Sequence, residues 1–192
     1  MSKLLELYFK THDAWRDWLH DNHEEFTGVY LIFYKVDHPK DSMRWEEAVK
    51  VALCYGWIDS TVKSLGDGKR RQYFTRRNPK SAWSALNKKY IDELAAADLI
   101  HPSGHQSIAI AKENGSWTAL DDVENGIIPE DLQRAFDQNP QAFDNYNQFA
   151  PSYRKSYLYW LNDAKRDTTR QKRILEIIKY CAANQKSLGD SY

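Results

Sequence analysis

The chain has 192 residues, 42% of them hydrophobic and 28% charged, and its 27 Lys and Arg balance 27 Asp and Glu. That length allows one domain or two small ones around a real core, and the composition excludes an intrinsically disordered chain. No apolar run approaches the ~18 residues of a membrane span, and the N-terminal segment, broken by Glu6 and followed by charges, does not read as a signal peptide, so no membrane insertion and a cytoplasmic location are expected.

Leu5, Leu7 and Phe9 alternate with Glu6, Tyr8 and Lys10, which predicts a short strand. Thr11 is placed to cap a helix reaching about Glu25, with Trp15, Trp18 and Leu19 on its buried face. Gly28 breaks it, and the β-branched and aromatic run Val29–Val36 predicts the best strand of the chain. After the loop from His38, Ser42 is a candidate cap for a helix striped with Trp45, Ala48, Val49, Ala52 and Leu53 and closed by Gly56. Ile58–Leu65, the turn Gly66-Asp67-Gly68 and Arg70–Thr75 predict a β-hairpin, because the turn residues tolerate positive φ.

Pro79 and Ser81 open a helix over about Ala82–Ala97, and Pro102 and Ser103 open another that reaches Asn114 and stops at Gly115. Little periodicity follows from Ser116 to Ile128, and Asp121–Gly126 reads as a linker. Helices are then expected over Pro129–Asn139, with acids in the first turn, and over Gln141–Phe149. Ser152–Asp163 places Tyr153, Tyr157, Trp160 and Leu161 on one face, and Asp167 is placed to cap a last helix carrying Ile174, Ile177, Ile178 and Cys181. The expected fold is α+β: a small antiparallel sheet with helices over residues 1–117, a linker over 118–128, and a helical part over 129–192.

Cofactor and metal chemistry find no footing. The glycines form no phosphate-cradling loop of the P-loop or dinucleotide-binding kind, so no cofactor is expected. Of His12, His20, His23, His38, His101 and His105, the last two lie four apart. They bracket a loop or helix start rather than one helix face, and no metal is expected. Cys54 and Cys181 lie in separate apolar helical stretches and read as inert core residues. Ser84 lacks the glycines of a nucleophile elbow.

Charge is balanced overall but not locally. From Ser60 to Tyr90 nine Lys and Arg stand against the single acid Asp67, a balance of +8, while Glu113–Asp144 holds eight acids against Arg134, a balance of −7. Two readings stand side by side: solvated or mutually attracting faces, and a basic strip that meets an anionic partner.

That strip, Trp57–Asn87, is the expected working surface. Gly56 carries the chain out of a helix, so Trp57 and Asp59 stand at a helix-to-strand corner. Strand alternation puts Arg71, Tyr73 and Thr75 on one hairpin face, with Gln72 and Phe74 on the other. Trp83, Asn87 and Tyr90 share a helix face. The candidate binding residues are Trp57, Asp59, Lys63, Tyr73, Arg76, Arg77, Trp83, Ser84 and Asn87. An acid, paired guanidinium groups, an amide and indole faces suit a ligand with an anionic group and an apolar or planar body. The same residues also suit a packed core in which Asp59 merely pairs with an arginine.

Four stretches carry a resemblance: CYGWIDS, RRNPKSAWSALN, GHQSIAIAKENGSW and PSYRKSYLYWLNDAKRDTTRQKRI. Together, from about Trp15 to about Ile178, they resemble the YdeI/OmpD-associated family of bacterial proteins, also described as bacteriocin-protection. The resemblance implies an N-terminal α+β part similar to the YdhG-like fold, and a C-terminal helical part. It implies no catalytic residues, and its name implies resistance to antimicrobial peptides and association with a porin.

Four functions are consistent with these residues. The first is a non-catalytic stress or resistance protein that binds a small anionic ligand or peptide at the strip. The second is single-stranded nucleic-acid binding through the basic hairpin, with Tyr73, Phe74 and Trp83 as stacking surfaces, although a net charge of zero counts against it. The third is an enzyme using Asp59 as general base, for which no second catalytic partner can be named. The fourth, metal handling through Asp121–Glu124, rests on charge alone.

Overall fold

A computed structural model describes residues 5–187. Four strands form one sheet in the order β1-β2-β4-β3, namely β1 (Glu6–Tyr8), β2 (Gly28–Tyr34), β3 (Trp57–Gly66) and β4 (Lys69–Arg76). β1 runs parallel to β2, and the other two pairings are antiparallel. The hairpin turn forms as expected, with Gly66, Asp67 and Gly68 at φ of 80°, 48° and 68°. Two helices lie between the strands and the others follow the sheet along the chain, and the α+β expectation holds.

The register sets one face of the sheet against the core. Val29 pairs with Phe74 and Leu31 with Gln72, so Val29, Leu31, Phe33 and Phe74 share a face, each at most 2% exposed. Helix α1 (His12–Asn22) starts where expected, with Thr11 Oγ1 accepting from the Ala14 N–H at 3.4 Å. Its Trp15 stands edge-on to Phe74 and Trp57, at 5.8 and 6.4 Å between ring centres, and donates its Nε1–H to Ala48 O. Trp18, expected beside it in the core, is only partly buried and stacks on Trp15 at 5.4 Å. Burial of such large rings is worth roughly 2–3 kcal/mol each, so this indole cluster is the main anchor of the sheet.

Two helix starts of the N-terminal unit differ from expectation. Helix α2 (Trp45–Cys54) begins at Arg44, whose N–H donates to Glu47 Oε2 at 2.6 Å; Ser42 instead bonds the backbone of Tyr34. Helix α3 (Ala85–Ala96) is capped by Ser84, which accepts from the Asn87 N–H at 3.2 Å, while Ser81 donates to Asn78 O in a preceding turn. Both serines lost the cap because a nearer backbone partner took their hydroxyl. Helix α4 (Pro102–Glu113) has proline in its first turn and His101 as its N-cap.

The chain divides into two compact units, Met1–Ala119 and Leu120–Tyr192. The second contains α5 (Asp121–Glu124), α6 (Glu130–Asp137), α7 (Pro140–Gln148), α8 (Pro151–Asn162) and α9 (Asp167–Ala182). Val123 of α5 is buried in that unit's core with Leu132, Phe136, Tyr146 and Ile177. On α8 the buried residues are Tyr157, Leu158 and Leu161, whereas Tyr153, expected on that face, is 41% exposed and Trp160 is only partly buried. Arg166, not Asp167, is the N-cap of α9. Arg170 of α9 grips Asp131 of α6 with two hydrogen bonds, at 2.5 and 2.9 Å, and this holds the carboxyl below its ordinary range.

Candidate functional site

The local geometry begins with Gly56. It adopts φ 71° to turn the chain from α2 into β3, and a Cβ there would lie 3.1 Å from both Ser103 O and Ser107 Cβ. Glycine therefore lets α4 close on the corner. The His101 N–H donates to Cys54 O at 3.0 Å and Ser103 Oγ to Tyr55 O at 3.2 Å, while the Arg77 N–H donates to Gly56 O at 2.9 Å. The end of α2, the start of β3, the end of β4 and the first turns of α4 thus meet at one point.

A cleft of about 290 Å³ opens there, lined among others by His23, Trp57, Arg76, Arg77, Ser103 and Ser107. Three of these residues are more than nine-tenths buried and carry polar atoms with no hydrogen-bond partner. They are Arg77 (9% exposed; Nε and Nη1), Trp57 (1%; Nε1) and His23 (8%; Nε2). A buried donor without a partner costs about 1–3 kcal/mol, and such groups are normally satisfied by solvent or ligand.

Arg77 is positioned from below and from the side. Its guanidinium lies 3.7 Å over the Trp83 ring, and Nη2 donates to Ala82 O at 2.7 Å. Trp83 is itself 1% exposed and packs on Trp117 at 4.9 Å. Burial pulls the Arg77 guanidinium down to about 10, opposed by the Asp59 carboxylate, so the cleft holds a full positive charge at neutral pH. His23 Nδ1 donates to Leu19 O at 2.8 Å, which leaves Nε2 as an acceptor when neutral and a donor when protonated.

The expected site residues separate into groups. Trp57, Arg76 and Arg77 share the cleft, with Trp83 beneath Arg77. Arg76 is exposed and clamps the backbone, donating to the carbonyls of His23, Glu24 and Phe26. Asp59 lies outside it: one carboxylate oxygen accepts from Trp45 Nε1 at 2.8 Å and from Gln72 Nε2. Ser84 and Asn87 meet at the α3 cap. Lys63 is exposed, opposite Arg71 on the hairpin, and Tyr73 packs on Tyr30 at 5.1 Å. Phe74 and Trp83 are buried, so of the three aromatics offered for base stacking only Tyr73 is partly accessible.

His23, Ser103, Gln106 and Ser107 complete the cleft and were not among the expected residues. Nothing in their local sequence marks them, because α1 and α4 reach the cleft only through tertiary packing. Cys54, at the same corner, is fully buried; burial pushes its thiol up, opposed by Arg16 Nη2 at 3.4 Å. Among the described residues no group of three or more His, Cys, Asp or Glu is placed to hold a metal, and no helix is long and apolar enough to cross a membrane.

Beside the cleft, His101 packs against His23 and Tyr55, at 4.9 Å between ring centres in each case. His101 Nδ1 accepts from the Ser103 N–H as the cap of α4, and burial followed by the neighbouring His23 and His20 lowers its pKa. A histidine lowered in the folded state favours folding when neutral. Its contribution is complete above about pH 6.5 and is lost as pH falls through the folded value. Thermal melts of the N-terminal unit should therefore show falling stability from about pH 7 to pH 5. Substitution His101→Asn, which keeps a capping acceptor but cannot titrate, should flatten that slope. An unchanged slope would assign it elsewhere.

A family model described as a domain of unknown function (DUF8412) matches residues 7–107. A second, described as "Bacteriocin-protection, YdeI or OmpD-Associated", matches residues 125–184. No curated protein and no solved structure matches the chain. Of the four stretches that carry the resemblance, PSYRKSYLYWLNDAKRDTTRQKRI falls within the second match, while CYGWIDS and RRNPKSAWSALN fall within the first. The cleft is built from residues His23 to Ile110, nearly all inside the first match. The chain thus belongs to the DUF8412 family, and its residues 125–184 are similar to the YdeI/OmpD-associated, bacteriocin-protection family.

Proposed function

We propose that this chain is a non-catalytic binding protein that captures a small oxyanion, of the phosphate or carboxylate class, in the Arg77 cleft. The observation that carries this reading is that Arg77, Trp57 and His23, each with a buried polar atom that lacks a hydrogen-bond partner, all line one 290 Å³ cleft. Arg77 supplies the fixed charge and two donor nitrogens, and Trp57 supplies a third, neutral donor. Ser107 also lines the cleft, and the cleft lies by the N-terminal turns of α4, a helix end that favours negative charge, while the Ser103 hydroxyl is held by Tyr55 O. The description of residues 125–184 as bacteriocin-protection supports a protective setting for such capture, which we place in the cytoplasm.

Thermal melts of the full chain across a panel of phosphate, citrate and acetate, at constant ionic strength, test this. At least one oxyanion should raise the melting temperature of the N-terminal unit saturably, by roughly 10 °C at a hundredfold excess over its Kd. If none exceeds chloride at matched ionic strength, the cleft is filled by solvent and the reading fails.

A further inference from the structure

A second, larger concavity lies on the same sheet face, away from the cleft. Register places Val62 opposite Gln72 and Ser64 opposite Arg70, on the face that carries Phe33 and Phe74. Near the corner that face is covered by the indole cluster of α1. Towards the hairpin turn it is left open, and Val62 there is 58% exposed although it sits on the core-facing side. Phe33, Met43 and Trp45 are the apolar wall of the resulting trough, about 810 Å³ in volume. Trp45 is not free to swing into it, because its Nε1–H is held by Asp59.

The rim is charged, and mostly of one sign. Lys35, Arg44, Lys69 and Arg70 line the trough against the two acids Asp37 and Asp67. Among the described residues none of these four cations has an ion-pair partner; Arg70 lies 5.4 Å over the Phe33 ring. An apolar trough with an unneutralised cationic rim matches one ligand chemistry.

We propose that this trough is a second binding site, for a small amphiphilic anion whose apolar body lies along Val62, Met43 and Trp45 and whose acidic head meets Lys69 and Arg44. Asp59 is then a positioning residue: it holds the Trp45 indole as the wall and does not touch the ligand. The site is independent of the Arg77 cleft, which favours a compact oxyanion without an apolar body.

Titration of the full chain with 1-anilinonaphthalene-8-sulfonate, an anionic aromatic dye, followed by displacement, tests this. Decanoate should displace the dye, and decanol and decylammonium should do so at least about tenfold more weakly. Val62→Asp, at an exposed position, should weaken dye binding about tenfold, and Lys69→Glu about fivefold, each without a change in melting temperature. Arg77→Met should leave dye binding unchanged while removing the phosphate response, which separates the two sites. Equal displacement by the uncharged or cationic decyl compounds would overturn the proposal. So would full dye affinity in both Val62→Asp and Lys69→Glu, or displacement by an oligonucleotide but not by decanoate.

Discussion

Substitution of Arg77 by methionine should abolish the oxyanion-dependent rise in melting temperature and leave the unliganded chain within about 1 kcal/mol of wild type. Arg77 makes one good protein hydrogen bond, to Ala82 O, while its Nε and Nη1 are buried without partners. Removing the first costs about 1 kcal/mol, and relieving the second returns a similar amount. Methionine keeps an apolar stem over the Trp83 ring, where the guanidinium now lies at 3.7 Å. The direction of the pKa shift points the same way. A base lowered by burial opposes folding while it is charged, and that opposition fades only as pH rises through about 10. An arginine kept charged in such a place without a carboxylate bond costs stability, as the proposed oxyanion site would require. Melts of Arg77→Met with and without phosphate decide the matter. A full phosphate shift would remove Arg77 from the site, and a collapse of the unliganded protein would make it a structural cation.

How much of this was legible beforehand differs between fold and site. The strands and the hairpin turn were readable because they depend on neighbours in sequence: β-branched runs, alternation, and the positive φ that Gly66, Asp67 and Gly68 tolerate. Ser42 and Ser81 misled because a serine near a helix start has several backbone partners within reach, and only tertiary placement selects among them. On α8 the expected Tyr153 gave way to Leu158 because the face is chosen by where α9 lies, which periodicity alone does not specify.

Of the site, the sequence made Trp57, Arg76 and Arg77 visible as a local cluster at a corner. It also grouped Asp59 with them, and the pleat does put Asp59 on the same face as Trp57. Asp59 lies two residues further along β3, opposite Phe74, where Trp45 and Gln72 take its carboxylate instead of the arginines. His23 and Ser103 were invisible as partners because they reach the cleft from α1 and α4, through contacts made only after the sheet is assembled.

The join that brings α4 to the cleft predicts the largest single loss of stability. Gly104→Ala, in an exposed helix, should stabilise by up to about 1 kcal/mol, because alanine is the better helix former. Here the sign should reverse. A Cβ on Gly104 would stand 2.2 Å from Cys54 O and 2.8 Å from its carbonyl carbon, both backbone atoms at the end of α2, and 2.9 Å from Ile100 Cγ2. None of the backbone can yield without breaking the hydrogen bonds from His101 N–H to Cys54 O and from Ser103 Oγ to Tyr55 O. Overpacking of about 1–3 kcal/mol and the loss of those two bonds outweigh the helix gain, for a net cost of about 2–3 kcal/mol. Denaturant titration followed by tryptophan fluorescence should show this as a drop of roughly 10 °C when repeated as a melt. Because Ser103 and Ser107 move with α4, the phosphate response should weaken as well, even at temperatures where the variant remains folded. A stabilised Gly104→Ala chain would mean that α4 does not pack on Cys54 as described, and the cleft would lose its wall.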